Sequence, residues 1–334
     1  MTGSEPASDP SEDDRPQPAG PPPDRPGARI FTIEGRSAPG LFVFGWLATL
    51  VGFGIFVVGV TSGGRVPAPI FFVGLVLLSL GLIAAAGAQA IERRARGAPF
   101  AGPSPFLLFC AVIPTVLVLA VPVLFVLARL GFSPGDSPAG AVVSQLLLLV
   151  TYAGLVRLTV VGPGAASWRD LGFRRPEPPS SAIAFGVILA VPLVFISGLL
   201  AALLLRALPA PPSPLPEATD TTGVLLNLLA ASVIAPLGEE LFFRGYATTA
   251  WLRAIGPTAA ILRGGLFFAF AHVLTLSGTS FGEAAGQAVV AFVVRIPVAL
   301  ALGWLFVRTR SIYPTIALHA TFNGLPLLLT LVGR

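Results

Sequence analysis

Six ionisable side chains lie inside stretches apolar enough to sit in a lipid bilayer: Glu239, Glu240, Arg244, His272, Arg295 and His319. Placing one such group in hydrocarbon costs about 2.5 to 3.5 kcal/mol on insertion scales, so each needs a partner or a task. The two histidines are the only ones in the chain, and beyond residue 39 there are nine acidic residues, of which Glu239 and Glu240 are the only adjacent pair. Glu240 and Arg244 are four apart on one helical face and can neutralise each other. Glu239, turned about 100° from its neighbour, can point elsewhere. His319 and Asn323 again share a face, as do Phe268 and His272. Two histidines, a free carboxylate and an asparagine donor supply the groups for activating water and stabilising an oxyanion. They equally supply a His/His/Glu metal site. Arg295 has no role that spacing assigns, beyond pairing with Glu283 or with an acid of the sixth apolar run.

The elements that must hold these residues follow from composition. The 334 residues are 54% hydrophobic and 11% charged, which describes an integral membrane protein and leaves no polar stretch long enough for a sizeable soluble domain. Apolar runs of about 20 residues, each sufficient to cross hydrocarbon as a helix, recur near 40–61, 70–91, 105–128, 140–161, 181–205, 222–250, 257–276, 284–307 and 312–332. The expected fold is therefore an all-α, polytopic transmembrane bundle of about nine spans. The sixth, with Pro236 and Gly238 inside it, is expected to kink or to protrude. Residues 1–39 carry nine of the 33 prolines and seven of the 16 acidic residues, a composition expected to stay disordered and unlike a signal peptide.

All 21 basic residues are arginines, spread through loops. That makes nucleic acid an unexpected partner. The single cysteine, Cys110, excludes a disulfide framework and a cysteine-ligated metal. Every second loop is basic: Arg93, Arg94 and Arg96; Arg169, Arg174 and Arg175; Arg253 and Arg263; Arg308 and Arg310. By the positive-inside rule these loops and the N-terminus are cytoplasmic, in a multi-pass protein of the cell inner (plasma) membrane. Counting along the spans puts Glu239 about 25 Å from the outer end of its helix, and His272, His319 and Asn323 about 14, 10 and 16 Å from the inner face. All four are expected to meet in the cytoplasmic half. The absence of lysine, with abundant Ala, Gly and Pro, suggests a GC-rich bacterial genome.

The motifs themselves are similar to those of a known family. Glu239-Glu240-Leu-Phe-Phe-Arg244 resembles the EExxxR motif, Phe268-Ala-Phe-Ala-His272 the FxxxH motif and His319-Ala-Thr-Phe-Asn323 the HxxxN motif of the CPBP family. That family groups type II CAAX prenyl endoproteases with bacterial abortive-infection and bacteriocin-processing proteins. Trp168-Arg-Asp-Leu-Gly-Phe-Arg174 resembles its upstream loop, and Arg308 to His319 the run into its last motif. The resemblance divides the chain into a Pro-rich cytoplasmic tail (1–39), transmembrane helices outside the family core (40–162) and a protease-like core (163–334).

It implies an intramembrane endopeptidase open to the cytoplasm. Glu239 and His272 would activate water, His319 and Asn323 would face the oxyanion, and Glu240, Arg244 and Phe268 would hold the geometry. Both a glutamic and a metal-dependent mechanism are open; the metal reading takes Glu239, His272 and His319 as ligands to an ion such as zinc. Asn323 on the face of His319 favours the metal-free form. The expected substrate is a peptide or small membrane protein, with the lipid bilayer as the other partner. The chain ends without a CAAX box, so self-processing of that type is not expected. The competing reading is a non-catalytic scaffold or bacteriocin-immunity factor. A transporter is disfavoured because the buried charge occupies one half of the chain, with no repeat.

Overall fold

A computed structural model describes residues 38–63, 65–132, 135–274 and 276–332; the expectation for the tail falls almost wholly outside these. The described residues form nine helices and no strand. They are α1 (Pro39–Thr61), α2 (Ala68–Ala95), α3 (Pro105–Arg129), α4 (Pro138–Val161), α5 (Pro179–Leu204), α6 (Thr221–Ile255), α7 (Pro257–Ala271), α8 (Phe281–Thr309) and α9 (Tyr313–Val332). Seven are long and apolar enough to cross a membrane, and α7, at 15 residues, is shorter. A proline at the first or second position opens α1 to α5 and α7, where its missing N–H has no helical partner to lose. Side-chain caps open α6, where Asp220 accepts from the Gly223 N–H at 2.7 Å, and α8, where Ser280 accepts from the Glu283 N–H at 3.2 Å.

In lipid the apolar faces gain nothing by leaving hydrocarbon, so close packing and polar contacts hold the helices together. The α1–α2 pair shows the first device: a Cβ on Gly45 would sit 2.6 Å from the Ala85 nitrogen, so only glycine lets the two backbones approach this far. The second device joins α2 to α3 through Ser79 and Thr115 hydroxyls at 2.7 Å, and α5 to α8 through the Ser197 hydroxyl donating to the Val294 carbonyl at 2.9 Å. An aromatic core of Phe109, Tyr152, Phe242, Phe243 and Phe267 fills the space between α3, α4, α6 and α7.

The sixth helix runs 35 residues. It accommodates Pro236 through wide turns: Ala230–Ile234 and Glu240–Thr248 are π-helical. A proline ring collides with the carbonyl four residues back in a regular helix. Here that residue, Ser232, lies in the first wide turn. The second π segment is buried throughout and carries the whole Glu240 to Arg244 spacing, the kind of local widening often found at functional sites.

The arginine-rich connections converge at one end of the bundle. Arg94 donates to the Pro163 carbonyl, and Arg253 to the Ala165 carbonyl at 3.0 Å. Arg174 donates to the Arg310 carbonyl at 2.7 Å, the Ser311 hydroxyl to the Arg174 carbonyl at 2.7 Å and the Ile312 N–H to the Gly172 carbonyl at 3.1 Å. The segment from Ala165 to Arg174 thereby ties the end of α6 to the start of α9 and fixes the relative height of the two helices. Asp170 belongs to this tie through Arg253 at 3.3 Å.

The Ser167 backbone N–H, its hydroxyl and Arg253 hold the Asp170 carboxyl below its ordinary range, against a smaller opposing effect of burial. A lowered native pKa stabilises above the ordinary carboxylate value, and that contribution disappears as pH falls through the native one. The melting temperature of the wild type in detergent should therefore drop on acidification through this window, while that of Asp170→Asn starts lower at neutral pH and stays flatter. Parallel acid profiles of the two proteins would dismiss the tie.

Candidate active site

The wide turns of α6, the end of α7 and the first half of α9 bring Glu239, His272 and His319 to one cavity of about 420 Å³. Glu239 Oε2 lies 3.7 Å from His272 Nε2 and 3.7 Å from His319 Nε2. That exceeds a direct hydrogen bond, and the same oxygen is buried with no hydrogen-bond partner. An unpartnered buried acceptor costs about 1 to 3 kcal/mol, so the arrangement is not one that packing alone would favour.

Each imidazole is oriented by its other nitrogen. His272 Nδ1 is 2.8 Å from the Phe268 carbonyl, which can only accept, so Nδ1 donates and the neutral ring presents a lone pair at Nε2. His319 Nδ1 is 2.8 Å from Glu240 Oε1, again an acceptor when ionised. Glu240 is fully buried, and the same oxygen meets Arg244 at 3.1 Å. Arg244 is equally buried, with the Phe268 ring 4.1 Å from its guanidinium carbon and the Ala299 carbonyl 3.3 Å from Nη2. The Phe268 ring also meets both imidazoles, at 4.5 and 5.6 Å between centroids. One phenylalanine thus packs against every charged or titratable neighbour of Glu239 in the two histidine motifs.

Asn323 has a local cause that spacing did not reveal. The Ala235 N–H reaches back five residues to the Ala230 carbonyl; the residue five beyond Ala231 is Pro236, which has no N–H. The Ala231 carbonyl left over by this ladder accepts from Asn323 Nδ2 at 2.9 Å. Gly324 permits the approach, since a Cβ there would sit 3.0 Å from the Ser232 hydroxyl. Asn323 lines the cavity with one amide hydrogen committed to α6.

Every residue singled out in the three motifs lies at or beside this cavity. Sequence reasoning left one feature open and missed two. Arg295 lines the cavity and interacts electrostatically with Glu239, which selects one of its two expected pairings; Glu283 is instead held by the Thr279 N–H and hydroxyl at 2.8 and 2.5 Å. Tyr152 is buried on α4 within electrostatic reach of Glu239. Ser213, Pro214 and Leu215, from the connection between α5 and α6, also line the cavity. That connection lies at the end of the bundle opposite the arginine-rich loops. The cavity therefore extends from the four motif residues to the connection between α5 and α6.

The donors Glu239, His272 and His319 have the chemistry of a catalytic zinc set. Among the described residues, however, no group of three or more such side chains is gathered so as to hold a metal ion.

Residues 221–325 match a family model described as Rce1-like, Type II CAAX prenyl endopeptidase Rce1-like. The match runs from the start of α6 into α9 and contains all three motifs; α1 to α5 lie outside it. It agrees with the family that the motifs resemble, and it supports a multi-pass membrane protein of the CAAX-protease type. No curated protein and no solved structure matches the chain.

Proposed function

We propose that the chain is an intramembrane endopeptidase in which Glu239 is the general base for hydrolysis of a peptide bond. The observation that carries this reading is the unpartnered Glu239 Oε2, 3.7 Å from two imidazole nitrogens. One water between Glu239 Oε2 and His272 Nε2 can donate to both, which directs an oxygen lone pair into the cavity. As that oxygen attacks the scissile carbonyl carbon, Glu239 takes the proton. His319 and Asn323 face the developing oxyanion.

His319 can donate from Nε2 only as the imidazolium, because Nδ1 is already committed to Glu240; the Glu240 carboxylate stabilises that cation. Asn323 has one amide hydrogen left beyond the bond to Ala231. Glu239 then returns its proton to the departing amine as the C–N bond breaks. Arg295 adds positive charge at the cavity wall.

The substrate class that suits the site is an apolar peptide or a small membrane protein unwound at the cut. The arginine-rich end is assigned to the cytoplasm of an inner-membrane protein, with the N-terminus there. The proposed division of the chain is a tail at 1–39, outer transmembrane helices at 40–162 and the protease core at 163–334.

The test is cleavage of an internally quenched apolar peptide by the purified full-length protein in liposomes. His272→Ala should lower turnover by about 10²- to 10³-fold while the protein still melts cooperatively. Undiminished turnover in that variant would refute the assignment. Repeating the assay with a chelator, and with zinc restored, distinguishes the glutamic from the metal-dependent form.

A further inference from the structure

A second, larger concavity of about 1340 Å³ opens between the start of α5 and the end of α8. Arg169, Arg174, Arg175 and Arg308 line it, with Glu177 as the one acid, leaving a net charge of three. Three further observations bear on what it takes. The α5 N-terminus has no side-chain cap, and Ser181 of its first turn faces the groove, so the Ser181 backbone N–H and the positive end of a 26-residue helix join the arginines.

Next, the charge gives way to exposed aromatic rings. The Arg308 guanidinium lies 5.8 Å from the centre of the Trp304 ring, and Trp304 lies 6.1 Å from Phe185. Phe185 is six residues into α5, about 9 Å below its start, and both rings are exposed. Tryptophan at this level is an interface anchor. Finally, this is the arginine-rich end, where the connections assigned to the cytoplasm gather.

We infer that this groove binds one anionic phospholipid, its phosphate on the arginines and the α5 N-terminus and its acyl chains along Trp304 and Phe185. A soluble anion would use the charge but not the aromatic strip, and an acidic peptide would leave Phe185 and Trp304 facing bilayer. Basic pockets between transmembrane helices have this lipid chemistry. Arg174 already donates to the Arg310 carbonyl and so holds the rim in place. Arg175 and Arg308 are the arginines whose removal tests binding without cutting that bond.

The experiment uses the full chain in phosphatidylcholine nanodiscs and measures binding of spin-labelled phosphatidylglycerol against spin-labelled phosphatidylcholine. Phosphatidylglycerol should be preferred at least about tenfold, given roughly fivefold per arginine near an anionic headgroup. Arg175→Gln with Arg308→Gln should abolish the preference with melting unchanged, and Arg175→Lys with Arg308→Lys should keep it. Two results would overturn the inference: equal retention of the two lipids by the wild type, or displacement of phosphatidylglycerol by millimolar inorganic phosphate. The second would assign the groove to a free anion.

Discussion

Glu239→Gln should reduce peptide turnover by about 10⁴-fold while leaving the melting temperature unchanged or higher. The substitution keeps shape and removes only the ability to accept a proton, so the loss measures general-base catalysis, whose usual range is about 10²- to 10⁴-fold. The upper end is expected because Glu239 would act twice, taking the proton from water and giving it to the amine. The stability half of the forecast separates function from packing. Oε2 has no hydrogen-bond partner among the described residues, so an amide there breaks no hydrogen bond at that atom, and the desolvation relieved offsets the electrostatic interaction lost with Arg295. A glutamate kept for structure would behave in the opposite way, losing stability and sparing turnover. Residual activity within tenfold of wild type would end the proposal that this carboxylate is the base.

The second large effect concerns Arg244. Glu240 and Arg244 are both fully buried, and the pair is isolated from solvent on every side. Arg244→Ala leaves the Glu240 carboxylate buried without its countercharge, a change that costs about 3 to 5 kcal/mol. It should appear as a sharply lowered melting temperature and poor recovery of folded protein. Replacing the pair together, as Glu240→Leu with Arg244→Met, removes both charges and should restore most of the stability, since apolar replacements of buried pairs are often neutral or better. Turnover should not return, because His319 Nδ1 would then have no carboxylate at 2.8 Å to hold it. Recovery of activity in the double variant would mean that Glu240 serves structure alone.

The nine helices of the described residues were legible because apolar runs recur at helical length, and each expected span lies over a helix, though seven of them are long and apolar enough to cross a membrane and α7, at 15 residues, falls short of its expected span. The charged residues of the three motifs were legible for a related reason: the chain places so few ionisable groups in hydrocarbon that their recurrence at one end of the sequence is conspicuous. The pairing of Glu240 with Arg244 followed from spacing. Its second partner did not, since His319 is 79 positions away and only tertiary packing joins them.

Asn323 was found by motif, yet its bond to Ala231 depends on a missing N–H at Pro236 and on wide turns that apolar periodicity does not encode. Pro236 within an apolar run was the available signal, and it was read as a kink. Arg295 was noticed as a charge in a span, but only the inward fold of the chain identifies Glu239 as its neighbour. The tie from Ala165 to Arg174 left no trace in hydropathy because backbone carbonyls make most of it.

The π segment Glu240–Thr248 also bears on how this helix can change over time. A π turn is equivalent to a regular helix carrying one inserted residue. Losing one residue from it would restore ordinary pitch and leave the helix beyond on nearly its present faces, so Tyr246 could still bond the Pro103 carbonyl and Arg253 still hold Ala165. What such a deletion removes is the widened turn itself: the helix would survive it, while the acid pair would lose the backbone shape that aims it.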